Sequence, residues 1–136
     1  QYANVSSAGS WRTGNNLNTA RRHIRGAGIY TAALAIGGYT GSNSGLTESF
    51  DGTSWTEVND LGTARYGGGA AGTSTAALYF GGGFPFKTNT ETWNGTNWTE
   101  VNDLNASHGS STGAGATNTA SFTNRIMEWN KLDRSK

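Results

Sequence analysis

The sequence has no cysteine, one proline and one methionine, and only 14% of its residues are charged. The absence of cysteine excludes disulfide bonds, thiolate metal ligands and a cysteine nucleophile. Ten Lys and Arg stand against nine Asp and Glu, which gives a net charge of +1. A charge this close to neutral argues against nucleic-acid binding, because affinity for phosphates needs many cations on one face.

Long hydrophobic runs are also missing. The longest apolar runs, 32–36 and 76–80, have the length of a strand and are far too short to span a membrane. We therefore expect no membrane insertion. Glycine is abundant, with 21 residues, and aromatic residues make up 11% of the chain. This mixture predicts an all-β protein of short strands and tight turns.

An internal repeat runs through the 136 residues. The segment Trp55–Leu61 recurs unchanged as Trp98–Leu104, and Trp11–Leu17 is a weaker copy. The three tryptophans that open these segments are spaced by 44 and 43 residues. Repeats of this length usually correspond to one supersecondary unit each, so we treat residues 1–136 as a single repeat domain with units starting near each tryptophan.

Each unit contains four short stretches with strand character. A Gly-rich run is followed by an apolar strand, then by a strand ending in an aromatic residue, and then by the strand that begins at tryptophan. The apolar strand ends in a double glycine in two units, Gly37-Gly38 and Gly81-Gly82. Asp51-Gly52 and Asn94-Gly95 mark hairpins between the third and fourth strands, because both dipeptides tolerate positive φ. Four strands in one such period predict the blade of a β-propeller.

The double glycine, the aromatic residue and the tryptophan together resemble the Kelch repeat over nearly the whole chain. The near-identical copies are similar to tandem Kelch-like repeats of phage-type and environmental surface proteins. The resemblance implies a β-propeller of Kelch-like four-stranded blades, about three per chain. The chain departs from the family in its tighter outer hairpin, with four residues between Phe50 and Trp55, and in a third copy that has lost its double glycine.

Three blades cannot close a ring, since propellers have about four to eight. The first unit boundary falls on a fourth strand at Trp11, and the last aromatic third strand ends at Trp129. These ends are complementary, so a homodimer would close a ring in trans. The alternative is that a longer chain supplies the remaining blades. The recurring aromatic residues are expected to pack between neighbouring blades.

Motifs for catalysis are present only as chance matches. Residues 67–72 match a dinucleotide-binding pattern and residues 109–113 match a nucleophile elbow, but both patterns require a following helix. Residues 67–72 instead align with the Gly-rich first strands of the other copies and lead into another strand. The two histidines have no metal-ligand spacing. We therefore predict that the protein is not an enzyme and that it has no catalytic residue, metal or cofactor.

Candidate binding residues lie where the copies differ. The loop after the second strand varies between units, and in a propeller it emerges on the same face as the connection between blades. Aromatic residues and arginine are favoured at binding surfaces, and variable loops on a rigid framework commonly carry function. These segments predict one ligand-binding face, made of Tyr39, Phe84, Phe86, Lys87, Arg21, Arg22, Arg65 and His108.

These features favour a structural or recognition module. The leading hypothesis is an extracellular surface or virion component, such as a tail or capsid decoration, that binds a glycan or a host protein. The alternative is an intracellular, cytoplasmic Kelch-type adaptor that binds a protein partner.

Overall fold

The computed structural model describes residues 13–109. This part of the chain forms two four-stranded antiparallel sheets. The first sheet is ordered β1 (Arg25–Ile29), β2 (Ala32–Tyr39), β3 (Asn43–Phe50) and β4 (Trp55–Val58). The second is ordered β5 (Gly69–Gly72), β6 (Ala77–Phe80), β7 (Thr90–Trp93) and β8 (Trp98–Val101). Residues 13–109 contain no helix, and hence none long and apolar enough to cross a membrane.

The order of strands in both sheets confirms the prediction for two repeat units. The third strand ends at Phe50 or Trp93, and the fourth begins at Trp55 or Trp98. Phe50 pairs with Trp55, and Trp93 pairs with Trp98. The third unit and the strand at Trp11 lie outside the described residues.

The two outer hairpins have the same turn, although one begins with Asp51 and the other with Asn94. The Oδ1 of Asp51 accepts bonds from the amides of Thr53 and Ser54, both at 2.8 Å. The glycine after each residue, Gly52 or Gly95, has φ of 96°. A side chain is disfavoured at that φ, which explains why glycine follows in both copies.

A buried carboxylate in the third strand of the first sheet holds the segment that enters this sheet. Glu48 accepts the amides of Asn18 at 2.7 Å and Thr19 at 3.3 Å. Its Oε1 also lies 2.5 Å from Nη1 of Arg21, whose side chain is fully buried. Burial raises the pKa of Glu48, but the bonds from Asn18, Arg21 and Thr19 outweigh that effect and leave the pKa below its ordinary value of 4.5.

The second sheet repeats this arrangement with Glu91. Its carboxylate accepts the amides of Gly62 at 2.7 Å and Thr63 at 3.2 Å, and it lies 3.0 Å from Nη1 of Arg65. Both side chains of this ion pair are buried. The two glutamates therefore give the backbone donors of each entering segment a buried acceptor.

The double glycine lies where the next connection crosses the end of the second strand. The amide of Gly38 donates to the carbonyl of Arg65 at 3.1 Å, and a Cβ on Gly37 would lie 2.6 Å from that carbonyl oxygen. In the second sheet the amide of Gly82 donates to the carbonyl of His108 at 2.7 Å, and a Cβ on Gly81 would lie 3.1 Å from that carbonyl oxygen. All four glycines have positive φ. Both the conformation and the close backbone approach thus require glycine.

Side chains also join the two sheets. The indole of Trp98 donates to the hydroxyl of Thr47 at 3.1 Å, and Nδ2 of Asn59 donates to the carbonyl of Thr96 at 2.9 Å. Trp98 therefore packs between sheets as expected. The aromatic residues also pair inside each sheet, with ring centroids 4.9 Å apart for Phe50–Trp55 and 5.4 Å for Trp93–Trp98. One apolar core contains Leu34 of the first sheet, Tyr79 and Trp93 of the second, and Leu61 of the connection between them.

The substitution Glu91→Gln should lower the free energy of unfolding by about 3 kcal/mol, because it leaves Arg65 as an unpaired buried charge. Urea denaturation of the full chain measures this change. The matched control is Glu100→Gln, which alters an exposed carboxylate on β8 and should change stability by less than about 0.5 kcal/mol. Equal effects of the two substitutions would show that the buried pair does not hold the connection.

Candidate functional site

The candidate site is the end of the two sheets where the β2–β3 and β6–β7 loops meet the segments that enter β1 and β5. Arg22 and Tyr39 exchange backbone hydrogen bonds of 3.1 and 2.8 Å across this end. The equivalent contact in the second sheet is the bond of 2.7 Å from the amide of Gly83 to the carbonyl of Tyr66, and Lys87 forms a further bridge with His108 at this end. We call this end the loop face, and its exposed or half-buried side chains are Arg22, His23, Tyr39, Tyr66, Phe84, Phe86, Lys87 and His108.

One cluster on the loop face joins the two sheets through aromatic rings. The guanidinium carbon of Arg22 lies 4.9 Å from the centroid of the Tyr39 ring. The Tyr39 and Tyr66 rings meet edge to face, with their centroids 5.3 Å apart. The ring centroids of His23 and Tyr66 are 5.6 Å apart. Stacking on Tyr39 limits the freedom of the Arg22 guanidinium.

A second cluster is formed by the longer loop of the second sheet. Phe84 and Phe86 are 71% and 57% exposed, and their rings meet edge to face with centroids 5.9 Å apart. The Phe86 ring lies so close to Gly109 that a side chain there would clash with it. The amide of Gly83 donates to the carbonyl of Tyr66 at 2.7 Å, which ties this loop to the first cluster.

The structure corrects the expected placement of Arg21 and Arg65. Their side chains are fully buried and do not reach the loop face. Arg21 donates to the carbonyls of Gly37 at 2.8 Å and Ala35 at 3.1 Å. Arg65 lies over the Tyr79 ring, 5.0 Å from its centroid. The reason is the third-strand glutamate, which draws each guanidinium inward. The other six predicted residues do lie on the loop face.

The sequence analysis did not identify two residues of the loop face, Tyr66 and His23. Tyr66 follows the buried Arg65 directly in sequence, and His23 lies two residues after the buried Arg21. Once the arginine points inward, the next residue is placed on the loop face. The alignment of the two units, with Tyr66 at the position of Arg22, could have revealed this signal.

His23 has an unusual backbone conformation. Its φ is 57°, and no other non-glycine residue within 13–109 has positive φ. The repeat period places Gly67 at the equivalent position, where φ is 70°. The carbonyl of His23 accepts the amide of Gly67 at 3.0 Å. A side chain in this left-handed conformation lowers stability by about 1–2 kcal/mol. The first unit carries an imidazole at this position, whereas the second unit has glycine.

The titratable groups with shifted pKa values are mostly structural. Burial lowers the pKa of Arg65, with the Glu91 charge acting against it, and burial raises the pKa of Tyr79. Neither group is exposed at the loop face. No group of three or more His, Asp or Glu side chains in the described part of the chain could hold a metal ion. The loop face itself offers aromatic rings, imidazoles and two cations.

Comparisons with known proteins define the fold alone. No protein-family model matches the chain, and no curated protein does. A solved structure described as "Structure of YjhT" is similar, with a TM-score of 0.67 and 14% sequence identity. The match covers 78% of this chain and 39% of that one, so this chain spans less than half of the YjhT structure. At this identity the likeness establishes a shared arrangement of strands.

The substitution His23→Gly should raise the free energy of unfolding by up to about 1 kcal/mol, because it removes a side chain from a left-handed position. The reciprocal change Gly67→Ala should lower it by about 1 kcal/mol or more for the same reason. Urea denaturation of both variants gives the two values. A loss of stability in His23→Gly would mean that the imidazole contacts outweigh the backbone cost.

Proposed function

We propose that the chain is a Kelch-like segment of a β-propeller that serves as a non-enzymatic recognition module and binds its ligand at the loop face. One observation carries the proposal. Two repeat units share the same buried framework, yet their exposed loops differ in strand pairing and in aromatic content. Residues 40–42 join β2 to β3, whereas residues 81–89 join β6 to β7.

Buried ion pairs and backbone hydrogen bonds hold the framework beneath the loop face, which suits a binding surface. Glu48 and Glu91 fix the entering segments, and the double glycines lock the connections against the second strands. The loops above this framework carry Phe84 and Phe86, two of the most exposed large apolar side chains in the described range. Exposed aromatics beside arginine are typical of the residues that dominate binding energy.

The ligand in the leading proposal is a glycan or a host protein, and the setting is a surface or virion component such as a tail or capsid decoration. The tandem near-identical repeats support this setting. The second candidate is an intracellular Kelch-type adaptor. The composition of the first cluster, with arginine stacked on tyrosine, favours a protein ligand in that case.

A propeller requires further blades beyond the two described sheets. The segment before the first sheet supports a neighbour on that side, since Asn15 donates to the carbonyl of Thr53 as Asn59 does to Thr96. Residues 13–19 thus approach the first sheet as the end of β4 approaches the second. We propose that the ring is completed by a second copy of the chain, or alternatively by a longer chain.

The mass of the 136-residue chain in solution tests the proposed completion by a second copy. Light scattering after gel filtration should give twice the chain mass, because pairing in trans removes the exposed sheet edges. A folded monomer would overturn the dimer and leave completion by a longer chain. The measurement should be made at several concentrations, since dissociation on dilution also identifies the dimer.

Substitutions on the loop face test the proposed binding. Tyr39→Ala and Phe84→Ala should each weaken binding to glycans of an immobilised panel by about tenfold, which corresponds to about 1.4 kcal/mol. The control is Tyr30→Ala, because Tyr30 is 86% exposed in the β1–β2 turn at the opposite end of the sheet. If both loop-face variants bind as the unsubstituted chain does, the loop face is not the glycan site.

A further inference from the structure

The same turn begins with asparagine in one outer hairpin and with aspartate in the other. Aspartate is the product that asparagine gives when its side-chain amide is lost. Oδ1 of Asn94 accepts the amides of Thr96 and Asn97 at 2.8 Å each, as Asp51 does from its own turn. The turn closes with a backbone bond of 3.2 Å in both copies, from Asp51 to Ser54 and from Asn94 to Asn97. The turns thus keep the same backbone bonds, and they differ at their first residue, Asp51 or Asn94, and at their fourth, Ser54 or Asn97.

We propose that Asn94 is a deamidation site and that the fold directs its conversion to aspartate. Asn94-Gly95 is the single Asn-Gly pair in the sequence, and both residues are exposed. Gly95 has no side chain to block approach to its own amide nitrogen. The inference does not rest on the proposed function, because the hairpin lies at the opposite end from the loop face.

The reaction needs only water besides the chain itself. The amide nitrogen of Gly95 attacks Cγ of Asn94, a new N–Cγ bond forms, and the Cγ–Nδ2 bond breaks. Ammonia leaves with the proton of the Gly95 amide, which produces a succinimide. Water then opens the ring. Attack at Cγ restores the normal backbone and yields aspartate, whereas attack at the main-chain carbonyl yields isoaspartate.

The turn geometry assists the first step. The ring closed by the bond from the Thr96 amide to Oδ1 of Asn94 includes the Gly95 nitrogen, so the nucleophile and Cγ are held within one small cycle. Negative charge develops on Oδ1 during attack. Two backbone N–H groups already point at this oxygen, and such donors stabilise developing oxyanions in acyl transfer.

The sheet favours aspartate as the product. Isoaspartate lengthens the backbone by one atom next to the Trp93–Trp98 pair, where the hairpin begins. Aspartate leaves that register unchanged. In the first sheet the amides of Ser54 and Thr53 hold the pKa of Asp51 below its ordinary value, so this turn stabilises the charged carboxylate. Conversion to aspartate would add one negative charge to the chain and would leave the strand register unchanged.

The experiment is incubation of the full chain in mildly alkaline buffer, followed by peptide mass analysis. The peptide containing Asn94 should gain the mass of amide-to-acid conversion, while peptides with the other asparagines should not. The ratio of aspartate to isoaspartate, read by fragmentation, should be several-fold higher than in the same chain unfolded in urea. The unfolded chain is the matched control, because it has the same sequence without the turn.

Two results would overturn the proposal. One is deamidation in urea with none in the folded chain, which would show that the turn protects Asn94. The other is the same product ratio in both samples, which would show that the fold does not direct ring opening. The variant Asn94→Asp supplies an independent check. It should melt no lower than the unsubstituted chain at neutral pH, and a clear drop in its melting temperature would contradict the equivalence of the two turns.

Discussion

The structure depends on a buried carboxylate in the third strand of each sheet. Glu48 and Glu91 each accept two backbone amides from the segment that enters their sheet, and each pairs with an arginine of that segment. Without these acceptors the entering segments would lose the bonds that tie them to the third strands. The loop face is built on these segments, so its position follows from the two carboxylates, although neither is exposed.

The glycines complete this arrangement from the other side. The connection that one glutamate holds must also cross the double glycine of the preceding strand, where a Cβ would collide with backbone oxygen. The ion pair with glutamate and the close backbone contact at the double glycine therefore constrain the same connecting segment. The framework can be repeated with little change, while the residues above it are free to differ. His23 is one such difference, because it occupies a left-handed position that the second copy gives to Gly67.

Local features of the sequence were reliable guides to the strands. The dipeptides Asp51-Gly52 and Asn94-Gly95 predicted hairpins, and the structure has turns at both. These signals work because the turn is determined by residues that are adjacent in the chain. The placement of aromatic residues was also predictable in outline, since Trp98 does reach Thr47 of the other sheet. The pairing of Trp93 with Trp98 inside one sheet follows from the same hairpin register.

The sequence by itself determined the repeat, the order of the strands, the glycine positions and six of the eight residues on the predicted face. Each of these depends on spacing along the chain or on the backbone freedom of one residue. Only the tertiary structure decided which way Arg21 and Arg65 point. Their direction depends on glutamates that lie 27 and 26 residues further along the sequence and become neighbours when the third strand pairs with the second. A basic residue beside a variable loop appears the same in sequence whether it faces solvent or a buried carboxylate.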